Sequence, residues 1–353
     1  MDFGEVIINW YHQNKRNLPW RNTHNPYYIW LSEIILQQTR VEQGLSYYKS
    51  FVKKYATVQK LAAAKEDEVL RMWQGLGYYT RARNLHHTAK EIVKKYKGKF
   101  PQTWEEVRAL KGIGDYTAAA ILSFAFNKKY PAVDGNVHRL LSRYLGIKTV
   151  VNTSKAKKEF FEAGLSLMGN HSPHDFNQAI MEFGSRMCKP ANPDCLNCPL
   201  NSSCFAFAKN KVKQLPVKVK KSKVRDRYFH YLVIRQQGKM LLRKRNENDI
   251  WKNLYEFPLI ETKRKKSSKS LLRQFHLTIK DLLKDGKQYS VNPSESEIKH
   301  QLSHQTIHAK FYEVSMMSPY KIKVKDLKKV SQKGIHQYPI PRLIEQYLEQ
   351  NPI

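Results

Sequence analysis

From residue 1 to about residue 208, apolar positions recur at intervals of three and four, as in Val69, Met72, Trp73 and Leu76 or Ile121, Leu122, Phe124 and Ala125. That is the period of a helix burying one face. Proline and glycine interrupt the pattern at Asn25-Pro26, Gly75-Leu76-Gly77, Phe100-Pro101, Gly112-Ile113-Gly114, Tyr130-Pro131 and Ser172-Pro173. Strand-like alternation never runs beyond a few residues here, so residues 1–208 predict an all-α domain of many short helices. Residues 209–226 are basic with little apolar periodicity and predict an interdomain linker. The texture then changes. Residues 228–234 are β-rich, Gln236-Gln237-Gly238 predicts a turn, and residues 239–243 predict the returning strand of a hairpin. A further strand is expected over residues 309–314 and a terminal helix over 338–348. Residues 263–269 read as a lysine-rich surface insertion, which makes 227–353 a mixed α+β domain.

Composition agrees with two domains: the chain has 353 residues, 41% of them hydrophobic and 12% aromatic, enough for packed cores. Charge adds a direction. Lys+Arg 62 against Asp+Glu 30 leaves a net +32. Residues 1–210 hold 30 basic and 17 acidic residues, net +13, and residues 211–353 hold 32 and 13, net +19 over a shorter stretch. Such an excess points to a polyanionic partner, most often nucleic acid; a lysine-rich proteome keeping its proteins soluble is the competing reading. No apolar run approaches the roughly 18 residues that span a bilayer. Asp2 and Glu5 give the N-terminus the wrong polarity for a signal peptide. The expectation is a cytoplasmic protein, associated with the nucleoid if bacterial, with no membrane contact.

All four cysteines lie close together, at Cys188, Cys195, Cys198 and Cys204, among Pro190, Pro193 and Pro199. Without a secretory context, a metal clamp is a better reading than disulfides. Zinc and a four-iron, four-sulfur cluster both accept four thiolates. One C-x2-C pair with long outer spacings favours the 4Fe-4S cluster over zinc, which usually takes two such pairs.

Leu110-Lys111-Gly112-Ile113-Gly114-Asp115-Tyr116-Thr117-Ala118 joins two helical stretches, with Thr103 and Glu106 as a capping box for the first. Gly112 and Gly114 let the backbone turn sharply and expose N–H groups at a helix start, which suits a phosphate oxygen and reads no base sequence. Beyond it, Asp134 in Pro131-Ala132-Val133-Asp134-Gly135-Asn136 has the setting of a helix N-cap. Glu33 has Ile29 and Leu36 as helical neighbours, which predicts an apolar pocket and a raised pKa. One protonated and one ionised carboxyl group is an arrangement that cleaves a glycosidic bond through an oxocarbenium-like state.

The chain resembles the adenine DNA glycosylase (MutY) family of the helix–hairpin–helix DNA glycosylase superfamily over essentially its whole length. The resemblance is carried by Leu18-Pro19-Trp20-Arg21, Trp30-Leu31-Ser32-Glu33-Ile34-Ile35-Leu36-Gln37-Gln38-Thr39, Gly75-Leu76-Gly77-Tyr78-Tyr79-Thr80-Arg81-Ala82-Arg83-Asn84-Leu85, the glycine hairpin, Val133-Asp134-Gly135-Asn136-Val137, Phe176-Asn177-Gln178-Ala179 and the C-x6-C-x2-C-x5-C spacing. It implies a monofunctional base-excision-repair enzyme acting as a monomer on double-stranded DNA, releasing adenine mispaired with 8-oxoguanine or guanine. It implies Glu33 as the acid that protonates the adenine ring and Asp134 as the stabiliser or transient covalent partner of the cationic sugar. Tyr116 and Asn136 would organise the site, and Leu18, Trp20, Arg21 and Gln178 would line the adenine pocket. Gln38 and Tyr78 match a wedge entering the base stack, while Leu76 and Thr39 lie where the family meets the opposite base. An extruded base is the reactant, and a mispaired one costs less to extrude.

Two departures bear on the chemistry. His138 stands where many bacterial relatives carry a lysine that traps product, so trapping is expected to be weak. Tyr116 stands where endonuclease III, a bifunctional relative, carries its catalytic lysine, which removes the amine for strand cleavage. In the second domain, Arg243-Lys244-Arg245 and residues 251–258 resemble the start of a Nudix domain, yet no paired glutamates follow to hold magnesium. The domain is similar to the one that recognises 8-oxoguanine in this family. Its Phe-Ser-His reading loop corresponds to Leu302-Ser303-His304, with leucine as the apolar wedge. An endonuclease III-like lyase and a catalytically silent lesion-binding protein are the alternatives, the first disfavoured by Tyr116 and the second by the presence of both carboxylates.

Overall fold

The computed structural model describes residues 2–151, 153–217, 224–285, 288–331 and 333–351. These fall into two compact units, one within residues 2–63 and 84–217, the other within residues 64–83 and 224–351. Of the linker expected at 209–226, residues 218–223 lie outside the described residues. No helix among the described residues is long and apolar enough to cross a membrane.

Through residue 208 the described chain is helical, as its periodicity predicts. The helices are α1 (Phe3–Asn14), α2 (Pro26–Leu36), α3 (Val41–Lys54), α4 (Val58–Ala63), α5 (Glu66–Met72), α6 (Thr80–Tyr96), α7 (Trp104–Ala109), α8 (Asp115–Phe126), α9 (Gly135–Leu145), α10 (Ser154–Met168), α11 (Pro173–Arg186) and α12 (Phe205–Ala208). Local chemistry starts many of them. Asn25 caps α2 ahead of Pro26, Thr103 caps α7 and pairs with Glu106, and Ser172 caps α11 ahead of Pro173. In the first unit α1, α9, α10 and α11 share one core, built from Ile7, Val137, Leu141, Phe160, Phe176 and Phe183 among others. Helix α2 packs on α8 and α3.

The second unit carries β1 (Arg225–Gln236), β2 (Lys239–Lys244), β3 (Tyr255–Glu256), β4 (Leu259–Thr262), α13 (Ser268–Leu282), β5 (Leu283–Lys284), β6 (Tyr289–Gln301), β7 (Gln305–Met316), β8 (Lys321–Ile322), β9 (Leu327–Ser331) and α14 (Arg342–Gln350). Strands β1 and β7 run parallel at the sheet centre, while β2 and β4 pair antiparallel with β1 and β6 with β7. The β1–β2 hairpin turns at Gln237 (φ 50°) and Gly238 (φ 69°), the two positive φ angles that a tight two-residue turn demands. Both sheet faces are covered, which is why residues 228–234 are apolar without alternation. Leu232, Ile234, Tyr312 and Val314 meet Leu271, Phe275 and Ile279 of α13. On α14, Tyr347 stacks on Phe311 at 4.0 Å between ring centroids, and Phe311 stacks on Tyr231.

Strands β3, β4, β5, β6, β8 and β9 and helix α13 escape the reading from sequence. Residues 263–267 are an exposed link from β4 into α13 rather than an insertion, and α13 follows directly, its Leu271, Phe275, Ile279 and Leu282 forming a helical stripe. Strand β6 is masked by Pro293 and the polar residues around it, and its register shifts between Pro293 and Glu297.

Candidate active site

Glu33 lies in the last turns of α2, a helix so apolar that most of its side chains are buried. Its side chain is carried inward with them and the residue is 7% exposed. Burial pushes its pKa up to about 7, reinforced by the charge of Asp134 and opposed by a hydrogen bond from Tyr116 and by Arg21. The Tyr116 hydroxyl donates to Glu33 Oε2 at 2.6 Å. Tyr116 is one residue past Asp115, the first of α8, so the glycine hairpin that starts α8 also aims this phenol.

Asp134 is the N-cap of α9. Its Oδ1 accepts from the backbone N–H groups of Asn136 (2.8 Å) and Val137 (2.7 Å), and its Oδ2 accepts from Asn136 Nδ2 (2.8 Å). Burial raises its pKa, while these donors and the Arg139 guanidinium favour the ionised form. Asp134 therefore has three donors where Glu33 has one, so burial, which raises both carboxyl groups, is opposed more strongly at Asp134. Asn136 is held in turn by Arg139, which also donates to the carbonyls of Gly184 and Cys188. A Cβ at position 184 would lie 2.9 Å from the Asn136 carbonyl oxygen, so glycine there permits the close approach of α11 to the start of α9.

A cleft of about 620 Å³ gathers the predicted residues Leu18, Trp20, Arg21, Glu33, Gln38, Thr39, Tyr116, Asp134, Asn136 and Gln178 along one wall or another. Trp20 packs edge-on to Tyr48. Gln178 is buried, and among the described residues no hydrogen bond engages its side-chain amide. A buried amide without a protein partner suits the polar edge of a base. His138 also lines the cleft, its buried Nδ1 without a hydrogen-bond partner among the described residues, its ring edge-on to Phe160 and its pKa lowered by burial.

Three contributors do not emerge from the sequence. Arg16 and Arg21 both bind the fully buried Glu182, at 2.6 and 2.7 Å. Burial alone would raise this carboxyl, yet the two guanidinium groups hold it at about 2. Glu182 lies one turn beyond Gln178 on α11, so helical spacing from a suspected site residue is the available signal. Asn177 accepts from Ala132 N at 2.9 Å and donates to the Tyr130 carbonyl at 2.8 Å, pinning the loop that delivers Asp134.

Other predicted residues lie elsewhere. Gly112 takes φ 83° in the hairpin between α7 and α8, and Gly114 is the N-cap of α8, where an added Cβ would meet nothing within 4 Å. Leu76 and Tyr78 belong to the second unit, as do Ser303 and His304. Leu76 is buried and Tyr78 is 49% exposed. Gln38 (φ 56°) and Tyr78 (φ 46°) both hold the left-handed conformation that non-glycine residues rarely adopt, a strain that concentrates at functional positions. Ser303 and His304 are exposed at the tip between β6 and β7, where Ser303 Oγ and the Tyr78 hydroxyl hydrogen-bond.

Among the described residues the four cysteines form no disulfide. All four line one small pocket with Leu140, Arg143, Phe183, Met187 and Phe207. Arg143 donates to Cys188 Sγ at 3.5 Å and to the carbonyls of Lys189 and Pro190. Among the described residues no three His, Cys, Asp or Glu side chains converge on a single ion position.

Comparison with known proteins places this geometry. Residues 31–164 match the model of the HhH-GPD superfamily base excision DNA repair proteins, and residues 230–350 match the NUDIX domain. The adenine DNA glycosylase of Buchnera aphidicola subsp. Acyrthosiphon pisum is 38% identical over 262 residues, covering 74% of this chain and 75% of the relative. That of Buchnera aphidicola subsp. Baizongia pistaciae is 36% identical over 309 residues, covering 87% and 84%. Among solved structures, a thermostable thymine-DNA glycosylase superposes with a TM-score of 0.55 at 29% identity, covering 59% of this chain and 95% of that one.

Proposed function

Since this chain belongs to the adenine DNA glycosylase family of the HhH-GPD superfamily, and is thereby a base-excision-repair glycosylase that hydrolyses N-glycosyl bonds, we propose that it releases adenine mispaired with 8-oxoguanine or guanine in double-stranded DNA. It does so as a monomer and without cutting the strand. The observation that carries the reading is the pairing, in one cleft, of a buried Glu33 with a pKa of about 7 and an Asp134 held by three donors. With its pKa raised to about 7, Glu33 keeps a protonated fraction at neutral pH and delivers that proton to the extruded adenine ring, weakening the bond to the sugar. Asp134 places negative charge beside the sugar as positive charge develops there. Asn136 and Arg139 fix that carboxylate; Trp20, Leu18 and Gln178 enclose the base. His138 and Tyr116 supply no amine, so product trapping is expected to be weak and strand cleavage through a Schiff base absent. Gln38 and Tyr78 fill the gap left by the extruded base, Thr39 and Leu76 border the opposite base, and Ser303 and His304 read it. Gly112 and Gly114 leave the α8 start open to a phosphate oxygen.

The defining measurement is adenine release from duplexes carrying adenine opposite 8-oxoguanine, guanine and thymine. Release is expected on the first two, with breaks appearing only after alkali. Prompt nicking by the pure protein, or equal release opposite thymine, overturns the assignment.

Tyr116→Phe offers a finer test. It removes the hydrogen bond that lowers the Glu33 pKa, so the alkaline limb of the single-turnover rate should move to higher pH. The maximal rate should fall by less than about 100-fold, the range of one hydrogen bond to a charged group. An unmoved limb would separate Tyr116 from the acid.

Cys188, Cys195, Cys198 and Cys204 would hold a 4Fe-4S cluster. All four thiols line one pocket, and a single C-x2-C pair with long outer spacings supports a cluster, whose cysteines bind separate corners, over a single zinc ion. When bound, such a cluster contributes four covalent crosslinks that order residues 188–204. Iron and sulfide analysis should give about four of each per chain, and Cys198→Ser should lower both together with thermal stability. Stoichiometric zinc without sulfide would point to the other metal.

A further inference from the structure

We propose that the link between β4 and α13, together with the first two turns of α13, forms a phosphate-binding surface that grips the DNA backbone beside the tip of the β6–β7 hairpin. This rests on the DNA substrate of the preceding section. Residues 263–267 are exposed throughout, and Lys263, Arg264 and Lys266 are joined by Lys269 and Arg273 on the exposed side of α13. Among the described residues none of these five side chains forms a salt bridge; Lys265 alone reaches an acid, Glu297 at 3.2 Å.

Helix α13 is capped by Ser267 and has no acidic residue in its first turn, where Lys269 stands instead. The start of a helix is its positive end, and a lysine there opposes the helix dipole. Uncompensated cations at such a position weaken the isolated domain and are relieved by an external anion. A second observation places more charge at the same spot. His230 is held down at about 4 by burial and by the nearby cations of Lys310 and Lys266, against the opposing charge of Glu297, so cations from β7 and from the link outnumber that acid over one patch of the sheet.

Register sets this patch near the hairpin tip. Strand β4 ends at Thr262 opposite Tyr228, three residues from Arg225, whose partner on β7 is Gln305. Gln305 closes the tip by accepting from Leu302 N, and Arg225 N donates to the His304 carbonyl. At a rise of about 3.3 Å per residue, the basic link leaves the sheet roughly 10 Å along the strands from the tip. A duplex carries a negative charge about every 1.7 Å of its axis, the complement of a run of cations with no acid among them.

The test compares two full-length variants that remove four positive charges each. The first combines Lys263→Gln, Arg264→Gln, Lys266→Gln and Lys269→Gln, leaving the Lys265–Glu297 pair in place. The control combines Lys280→Gln, Lys284→Gln, Lys321→Gln and Lys325→Gln, at and beyond the far end of α13. Fluorescence anisotropy follows binding to a matched duplex and to one with an adenine–8-oxoguanine pair across a salt series. The first variant should lose about 0.9 in the slope of log K against log salt for each contact removed, a total of roughly 2 or more. Affinity should fall by about the same factor on both duplexes, because backbone contacts read no sequence. A wild-type slope, or an equal loss in the control, overturns the proposal. If the first variant melts early, Lys263→Gln with Lys266→Gln is read the same way, with a slope loss of about 1 to 2 expected. Binding to the matched duplex needs no base release, so failure of the glycosylase assignment and failure of this surface register in different measurements.

Discussion

Replacing Glu33 with glutamine is expected to cut single-turnover adenine release by about 10²–10⁴-fold, the usual contribution of a general acid, while DNA binding persists. Glutamine keeps the shape and can still accept from Tyr116, but it has no acidic proton to give. The pH profile carries the sign. An acid with a pKa of about 7 is mostly protonated below that value and loses its proton above it. The wild-type rate should therefore fall as pH rises through about 7, and Glu33→Gln should flatten that limb. A variant that retains both rate and limb would remove Glu33 from the mechanism, whatever its burial.

Asp134→Asn is expected to lower the same rate by about 10³-fold, within the range for loss of one preorganised electrostatic group, with little change in melting temperature. The two effects separate because Asp134 has two tasks. As an N-cap it accepts from Asn136 N and Val137 N, and asparagine caps helices nearly as well as aspartate. As an ion it faces the cleft, and asparagine carries no charge. Thermal melting alongside single-turnover kinetics distinguishes them: a large fall in stability with an intact rate would leave Asp134 as a cap only.

The settings of both carboxylates are legible in the amino-acid sequence because they depend on near neighbours, whereas the roles proposed for them come from the family resemblance. Ile29 and Leu36 flank Glu33 on its own helix, and the run from Pro131 to Asn136 announces a helix start. The cysteines are legible for the same reason, since four thiols within 188–204 must share a site. The helical first half also follows from periodicity. Helix α13 carries a readable stripe but is obscured by the lysines that precede it, and β6 is obscured by Pro293, which resembles a strand break.

Glu182 marks the limit of such reading. Its sequence neighbours do not reveal that Arg16 and Arg21 reach it across more than 160 positions. Nor do they reveal that Asn177 braces the Asp134 loop, or that residues 64–83 join the second unit. Sequence by itself determined the helical and mixed α+β halves, the apolar setting of Glu33, the helix cap at Asp134, the grouping of the four cysteines and the charge, because short-range patterning encodes burial, capping and spacing. Tertiary structure alone decided how protons and charges are partitioned in the cleft. A pKa depends on depth of burial and on groups that chain folding brings within a few ångströms, and neither quantity is a property of a residue's place in the sequence.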